Sequence, residues 1–359
     1  MMKYTPLALI AELTHRCPLH CVYCSNPLEL QARASELSTG TWKRVFDEAS
    51  ELGVVQLHLT GGEPTAREDI VELIRHGRER KLYVNLITSG VGLTEEKLRI
   101  FCEAGLDHVQ LSFQDSEESG ANEIAGTKSH ARKIQAARLI KGFPLAFTIN
   151  IVVHRQNLSR LPQMIALGEE LEADRLEIAH VQYYGWAFKN RAALIPTREQ
   201  VKESITLIQA TQARLKGKLR VDFVVPDYFA KYPKPCMGGW GQTSLLVDPA
   251  GRVMPCHSAM VLPKMSFENV AEKSLRWIWE QSDAFERYRG ESWMKEPCSS
   301  CERRSQDYGG CRCQAYMLTQ DAEATDPVCS LSPAREKVLA ELAAVSDTDP
   351  WIYRKPGGS

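Results

Sequence analysis

Near its amino terminus the chain carries Cys17, Cys21 and Cys24 in the spacing C-x3-C-x2-C. Three thiolates on one short loop can converge on a single metal centre. A four-iron, four-sulfur cube takes one thiolate per iron for complete ligation, so three leave one iron open to chemistry on a bound molecule. The competing reading is a structural zinc ion completed by His15 or His20, although such sites commonly pair two C-x2-C elements. Further on, Gly61-Gly62-Glu63-Pro64 interrupts an apolar run, Gln56–Thr60. Its glycines let the backbone approach another group closely, and Glu63 offers an acceptor to an ammonium-like partner. Taken alone, the same four residues read as an ordinary strand-ending turn.

The chain has 359 residues and 11 cysteines, of which seven fall between Cys236 and Cys329. In a reducing compartment such clustering argues for metal or redox chemistry rather than disulfides. It implies at least two metal regions on different parts of the chain. Cys102 stands apart inside a helical pattern and reads as a core residue.

The elements that must position these groups follow a regular pattern. Strands are expected at Leu7–Leu13, Gln56–Thr60, Tyr83–Thr88, His108–Phe113, Leu145–Val153 and Arg175–Ala179, with helical stretches between them. Ser38 and Thr39 can cap a helix over Thr41–Leu52, and Thr197-Arg198-Glu199-Gln200 matches a capping box. Strand–helix alternation builds a parallel sheet with helices outside, and ligands bind at the carboxyl ends of its strands. Six such units predict an α/β fold, a partial (β/α)6 TIM-like barrel, spanning residues 1–225. Residues 226–335 form a cysteine-rich extension, including a hairpin over Ser244–Val247 and Arg252–Pro255. Residues 336–359 read as a carboxyl-terminal helix and flexible tail. The extension has too little apolar core to fold without metal.

Basic and acidic residues number 44 and 45, and no dense Lys/Arg run marks a nucleic-acid or membrane surface. No basic stretch followed by an apolar run opens the chain, and no apolar segment approaches a membrane span. A cytoplasmic protein with no nucleic-acid or membrane partner is expected.

The cysteine triad after the first strand, with Tyr23 before its last cysteine, resembles the signature of radical S-adenosylmethionine enzymes. Gly61-Gly62-Glu63-Pro64 resembles that family's second motif, which meets the methionyl amine of the cofactor. The resemblance implies a [4Fe-4S] cluster at Cys17, Cys21 and Cys24 and S-adenosylmethionine beside Gly61, Gly62 and Glu63. Thr88-Ser89-Gly90 is similar to the family's T-N-G element, with Ser89 in place of Asn. Ser112 and Gln114 occupy its S-x-D position, with Gln replacing the acid. Ser112 and Asn150 are candidate contacts to the ribose or amino-acid part of the cofactor, with ordinary barrel packing as the alternative.

The later cysteines resemble the SPASM extension of peptide-modifying members, except that Asp307 stands where a cysteine belongs and Cys313 is additional. The resemblance implies two auxiliary clusters, [4Fe-4S] or [2Fe-2S]. One would use Cys236, Cys256, Cys311 and Cys313; the other Cys298, Cys301, Cys329 and Asp307, with a plain turn role for Asp307 as the alternative. The segments Ala11–Arg16, Ser25–Leu28, Glu177–Ala187 and Gly310–Ala315 are similar to the branch that modifies a precursor peptide in pyrroloquinoline quinone biosynthesis. That branch joins a glutamate side chain of the peptide to a tyrosine ring through a 5′-deoxyadenosyl radical. It implies the precursor peptide, a small peptide chaperone and a flavodoxin- or ferredoxin-like electron donor as partners. The competing functions are another SPASM enzyme of the sulfatase-maturing type and a non-catalytic metal-binding scaffold. His180, Gln182, Tyr183, Tyr184 and Trp186 could line the peptide channel or pack the barrel against the extension.

Overall fold

The computed structural model describes residues 4–345 and 350–355. Six parallel strands, β1 (Ala8–Glu12), β2 (Gln56–Thr60), β3 (Tyr83–Thr88), β4 (His108–Phe113), β5 (Ala146–Val153) and β6 (Arg175–His180), lie side by side in chain order. Between them run α1 (Thr39–Glu51), α2 (Ile70–Glu79), α3 (Glu95–Ala104), α4 (Glu118–Ala125), α5 (His130–Lys141) and α6 (Leu161–Glu170). Helix starts follow the capping chemistry. Ser38 accepts from Thr41 N, Thr94 accepts from Lys97 N, and Thr197 with Gln200 completes the capping box.

Each strand divides its side chains between two environments. In β4, Val109, Leu111 and Phe113 are buried in the main apolar core, whereas His108, Gln110 and Ser112 alternate with them on the opposite face. The second face is polar along the sheet: Asn85 meets His58 at 3.0 Å, and His108 meets Thr148 at 2.8 Å. Helices therefore cover one face, and the other is left for a ligand.

Two additions extend the expected six units. β7 (Arg220–Val224) pairs parallel with β6, giving a seventh barrel strand. Only Val221 in it is fully buried, so an edge strand of this kind gives little apolar periodicity to detect. The hairpin forms as β8 (Ser244–Val247) and β9 (Val253–Met254), and β8 pairs parallel with β1. The result is an open nine-stranded sheet in the order β7-β6-β5-β4-β3-β2-β1-β8-β9.

The main apolar core continues past residue 225 into the extension. All of Ser244–Val247 is buried, and one apolar cluster runs from Leu9 through Leu245 to Trp279. Trp279 Nε1 donates to Tyr4 O at 2.9 Å, tying the extension to the first strand's approach. Cys102 is half-buried in α3 against the same core. The closing helix spans Arg335–Ala343, but residues after it are not all loose. Arg354 is buried against the cysteine loop, while Pro356–Ser359 lie outside the described residues.

Candidate active site and metal centres

The cysteine loop leaves the carboxyl end of β1 and is clamped by the glycine turn that leaves β2. Gly62 N donates to Thr14 O at 2.5 Å, and Glu63 N donates to Arg16 O at 2.7 Å. A Cβ on Gly61 would collide with the Thr14 carbonyl, and one on Gly62 with the Arg16 carbonyl. Gly61 also has φ +130°, a backbone region open to glycine. The close approach that this turn requires is thus to the chain entering the cysteine loop.

Cys17, Cys21 and Cys24 line one cavity of about 330 Å³ together with Gly61, Gly62, Thr88, Ser89, Ser112, Gln114 and Asn150. That volume is at the lower end of the range for small-molecule sites. Glu63 is close by but does not line it. Its carboxylate accepts from Thr65 N, Thr65 Oγ1 and Thr88 Oγ1 at 3.1, 2.7 and 2.8 Å, and from Ser89 N and Oγ at 2.8 and 2.6 Å. Five donors occupy its lone pairs, so the side chain organises the end of β3. His15 and His20 do not line the cavity: His15 Nδ1 accepts from Gln31 N at 2.9 Å, and His20 Nδ1 meets Arg354 O at 3.1 Å.

Burial pushes the Cys21 thiol up to about 12 and Cys24 to about 11, so a positive centre is needed to make them thiolates. Two cations that sequence reasoning passed over reach this site. Lys133 is fully buried and donates to Ser112 O at 2.8 Å and Gln114 Oε1 at 2.7 Å. Burial holds its ammonium down to about 8, with Cys21 and Cys17 opposing that shift. The signal was present: Lys133, Ala136, Ala137 and Ile140 form the buried stripe of α5, and a lysine in such a stripe needs a polar reason. Arg354 also lines the cavity and comes from the segment expected to be flexible.

Four of the later thiols form a closed ring, in which Cys236 meets Cys256 and Cys311, and Cys313 meets the same two. Tyr184 Oη lies 3.0 Å from Cys311 Sγ. Glu12, at the end of β1, pairs with His257, the neighbour of Cys256. Burial alone would raise the Glu12 carboxyl, but the His257 charge and hydrogen bonds from His15 and His257 hold it at about 2. Cys298, Cys301, Asp307 and Cys329 line a separate cavity near the surface. Asp307 is buried; its Oδ1 accepts from Gly309 N at 3.1 Å and its Oδ2 lies 3.5 Å from Arg303 Nε.

The structure therefore brings the sequence candidates together as three groups. At the end of β6 and just beyond it, His180 and Gln182 line the main cavity, whereas Tyr183 packs on Tyr228 and Trp186 is buried. All eleven cysteines are free, and soft thiolates in threes and fours suit iron–sulfur clusters. Among the described residues no three His, Cys, Asp or Glu side chains are arranged to hold a single ion. A cluster spreads its ligands more widely, because each thiolate binds a different iron.

Comparison with known proteins defines the class. Residues 11–168 match the radical SAM superfamily, and residues 236–302 match SPASM, an iron–sulfur cluster-binding domain. Among solved structures, Streptococcus suis SuiB bound to S-adenosylmethionine aligns with TM-score 0.76 at 20% identity, over 91% of this chain and 78% of that one. Native anSMEcpe with bound AdoMet aligns with TM-score 0.64 at 17% identity, over 94% of this chain and 96% of that one. At those identities the likeness is one of fold.

Sequence relatives are far nearer. The PqqA peptide cyclase of Gluconobacter oxydans is 57% identical over 354 residues, covering 98% of both chains. Those of Bradyrhizobium diazoefficiens and Methylobacterium nodulans are 52% and 54% identical, covering 98% and 99% of this chain and 94% of each relative. The chain belongs to the radical SAM superfamily and, within it, to the family of the PqqA peptide cyclases. Its cofactors are accordingly S-adenosylmethionine, a [4Fe-4S] cluster and auxiliary iron–sulfur clusters.

Proposed function

We propose that this enzyme acts on a precursor peptide, PqqA, and joins a glutamate side chain to a tyrosine ring in pyrroloquinoline quinone biosynthesis. The observation that carries the reading is 57% identity to a PqqA peptide cyclase along 98% of both chains. Its chemical support is the convergence of Cys17, Cys21 and Cys24 with Gly61, Gly62, Ser112 and Asn150 on one cavity. The three cysteines would hold the first cluster and leave one iron open. Ser112 and Asn150, paired across β4 and β5, would contact the cofactor from the sheet side. S-adenosylmethionine at a reduced cluster of this kind supplies a 5′-deoxyadenosyl radical.

The chain's own residues then have defined tasks. Gly61 and Gly62 hold the cysteine loop against the carboxyl ends of the strands, and Glu63 fixes Thr88 and Ser89 beside it. The polar inner face of the sheet accepts a ligand at the cavity beside the cysteine loop. The ring of Cys236, Cys256, Cys311 and Cys313 would hold one auxiliary cluster, and Cys298, Cys301, Cys329 and Asp307 the other. Either auxiliary cluster would supply a one-electron acceptor for the electron left when the carbon–carbon bond forms and the tyrosine ring gives up its proton. Presentation of PqqA by the chaperone PqqD, and reduction by a flavodoxin- or ferredoxin-like donor, complete the proposal. No described helix is long and apolar enough to cross a membrane. The free thiols fit a reducing cytoplasm as the compartment.

Anaerobic incubation with S-adenosylmethionine and a strong reductant tests the cluster assignment. The unaltered enzyme should release 5′-deoxyadenosine and the Cys17→Ala variant should not. Equal release from both would refute the assignment.

A further inference from the structure

Beyond the closing helix, residues 350–355 form a strap pinned at two places. Ile352 N donates to Asn190 Oδ1 at 2.7 Å, and Asn190 Nδ2 donates to Ile352 O at 2.7 Å. Arg354 N donates to His20 O at 3.2 Å, and Arg354 O meets His20 Nδ1 at 3.1 Å. The strap therefore delivers the Arg354 side chain, only 2% exposed, to the cysteine loop. Arg354 Nη2 donates to Cys17 O at 3.2 Å and Leu19 O at 2.5 Å. Nη1 is buried and has no hydrogen-bond partner among the described residues.

A guanidinium keeps its proton, so a buried one with an idle nitrogen is costly unless negative charge faces it. No carboxylate among the described residues forms an ion pair with Arg354, and the two carbonyls could be satisfied by a neutral donor. What surrounds the group is the loop of the thiol triad: Nη2 holds the main-chain carbonyl of Cys17 itself and that of Leu19, two residues before Cys21. Arg354 also lines the same cavity as all three cysteines.

We propose that Arg354 is a positioning residue of the first cluster site, which clamps the Cys17–Leu19 turn and sets a permanent positive charge beside the cluster. The proposal rests on the assignment of that cluster to Cys17, Cys21 and Cys24. A four-iron cluster with three thiolates becomes one unit more negative when it takes up one electron from the external donor. The nearby cation therefore stabilises the reduced form more than the oxidised one, and the reduced form is the one that opens the cofactor.

The test compares Arg354→Gln and Arg354→Lys with the unaltered enzyme. Iron content is measured, and a redox titration follows the reduced-cluster paramagnetic signal that S-adenosylmethionine perturbs. Arg354→Gln should keep its iron while the equilibrium constant for one-electron reduction falls about tenfold, a shift of about 59 mV to more negative potential. Arg354→Lys, which keeps the charge, should stay close to the unaltered value. A Gln variant with full iron and an unshifted potential overturns the proposal. If Arg354→Gln loses the cluster, Arg354→Lys decides: an unshifted potential supports the charge role, and a tenfold loss overturns it. Absence of any cofactor-perturbed signal in the unaltered enzyme, or its survival in Cys17→Ala, would instead refute the cluster assignment beneath it.

Discussion

Tyr184 Oη approaches Cys311 Sγ to 3.0 Å, joining the segment after β6 to the ring of four thiols. Four residues earlier, His180 lines the main cavity. The segment 180–184 thus runs from the main cavity to the ring of four thiols. Hydrogen bonds to ligand sulfur stabilise the reduced state of an iron–sulfur cluster. Tyr184→Phe should lower the midpoint potential of one auxiliary cluster by tens of millivolts, to order of magnitude. Voltammetry on protein of unchanged iron content checks this, and an unmoved midpoint contradicts it.

Gly61 and Gly62 leave no room for a Cβ against the Thr14 and Arg16 carbonyls. Gly62→Ala should displace the cysteine loop, costing about 1–3 kcal/mol as an overpacked contact does. Iron analysis should show loss from the first site with the auxiliary sites filled. A variant with the full iron complement and unchanged melting temperature would show that the loop yields freely.

Asp307 lines the second auxiliary cavity with three cysteines. If it ligates, Asp307→Cys should alter the absorption and potential of one cluster, since a thiolate is a softer ligand than a carboxylate. An unchanged spectrum and potential would leave Asp307 as a turn residue that accepts from Gly309 N.

Asp69 lies just beyond the glycine turn and accepts from Arg67 Nε and Nη2 at 2.8 and 2.7 Å and from Thr39 Oγ1 at 2.6 Å. Burial pushes its carboxyl up, but the hydrogen bonds from Arg67 and Thr39 and the Arg67 charge hold it below 3.8. A carboxylate lowered on folding stabilises above its unfolded value, and that contribution fades as pH falls through the folded one. Asp69→Asn should therefore melt lower than the unaltered protein at neutral pH, with the gap closing at pH below 3.8. A gap independent of pH would contradict the ion-pair account.

Much of this was readable from residues. The six strands came from short apolar runs separated by helical periods, and β2, β3 and β4 begin and end where the pattern placed them. The cysteine groups followed from spacing plus family resemblance. What escaped was contact at long sequence separation. β8 beside β1 joins residues more than two hundred positions apart, and no local pattern encodes that pairing. Arg354 reaches Cys17 from the far end of the chain, so a tail of ordinary composition concealed a buried cation. Around Glu63, the hydroxyls of Thr65, Thr88 and Ser89 converge on one carboxylate, and two of the three come from the next strand's end. Sequence shows that a carboxylate is available, not which donors fold onto it.

The most direct measurement is mass analysis of PqqA after anaerobic incubation with the enzyme, S-adenosylmethionine, a reductant and PqqD. The account predicts a peptide lighter by two hydrogen atoms, with fragmentation locating the new bond between one glutamate and one tyrosine. PqqA of unchanged mass, while the same preparation cleaves S-adenosylmethionine, would contradict it.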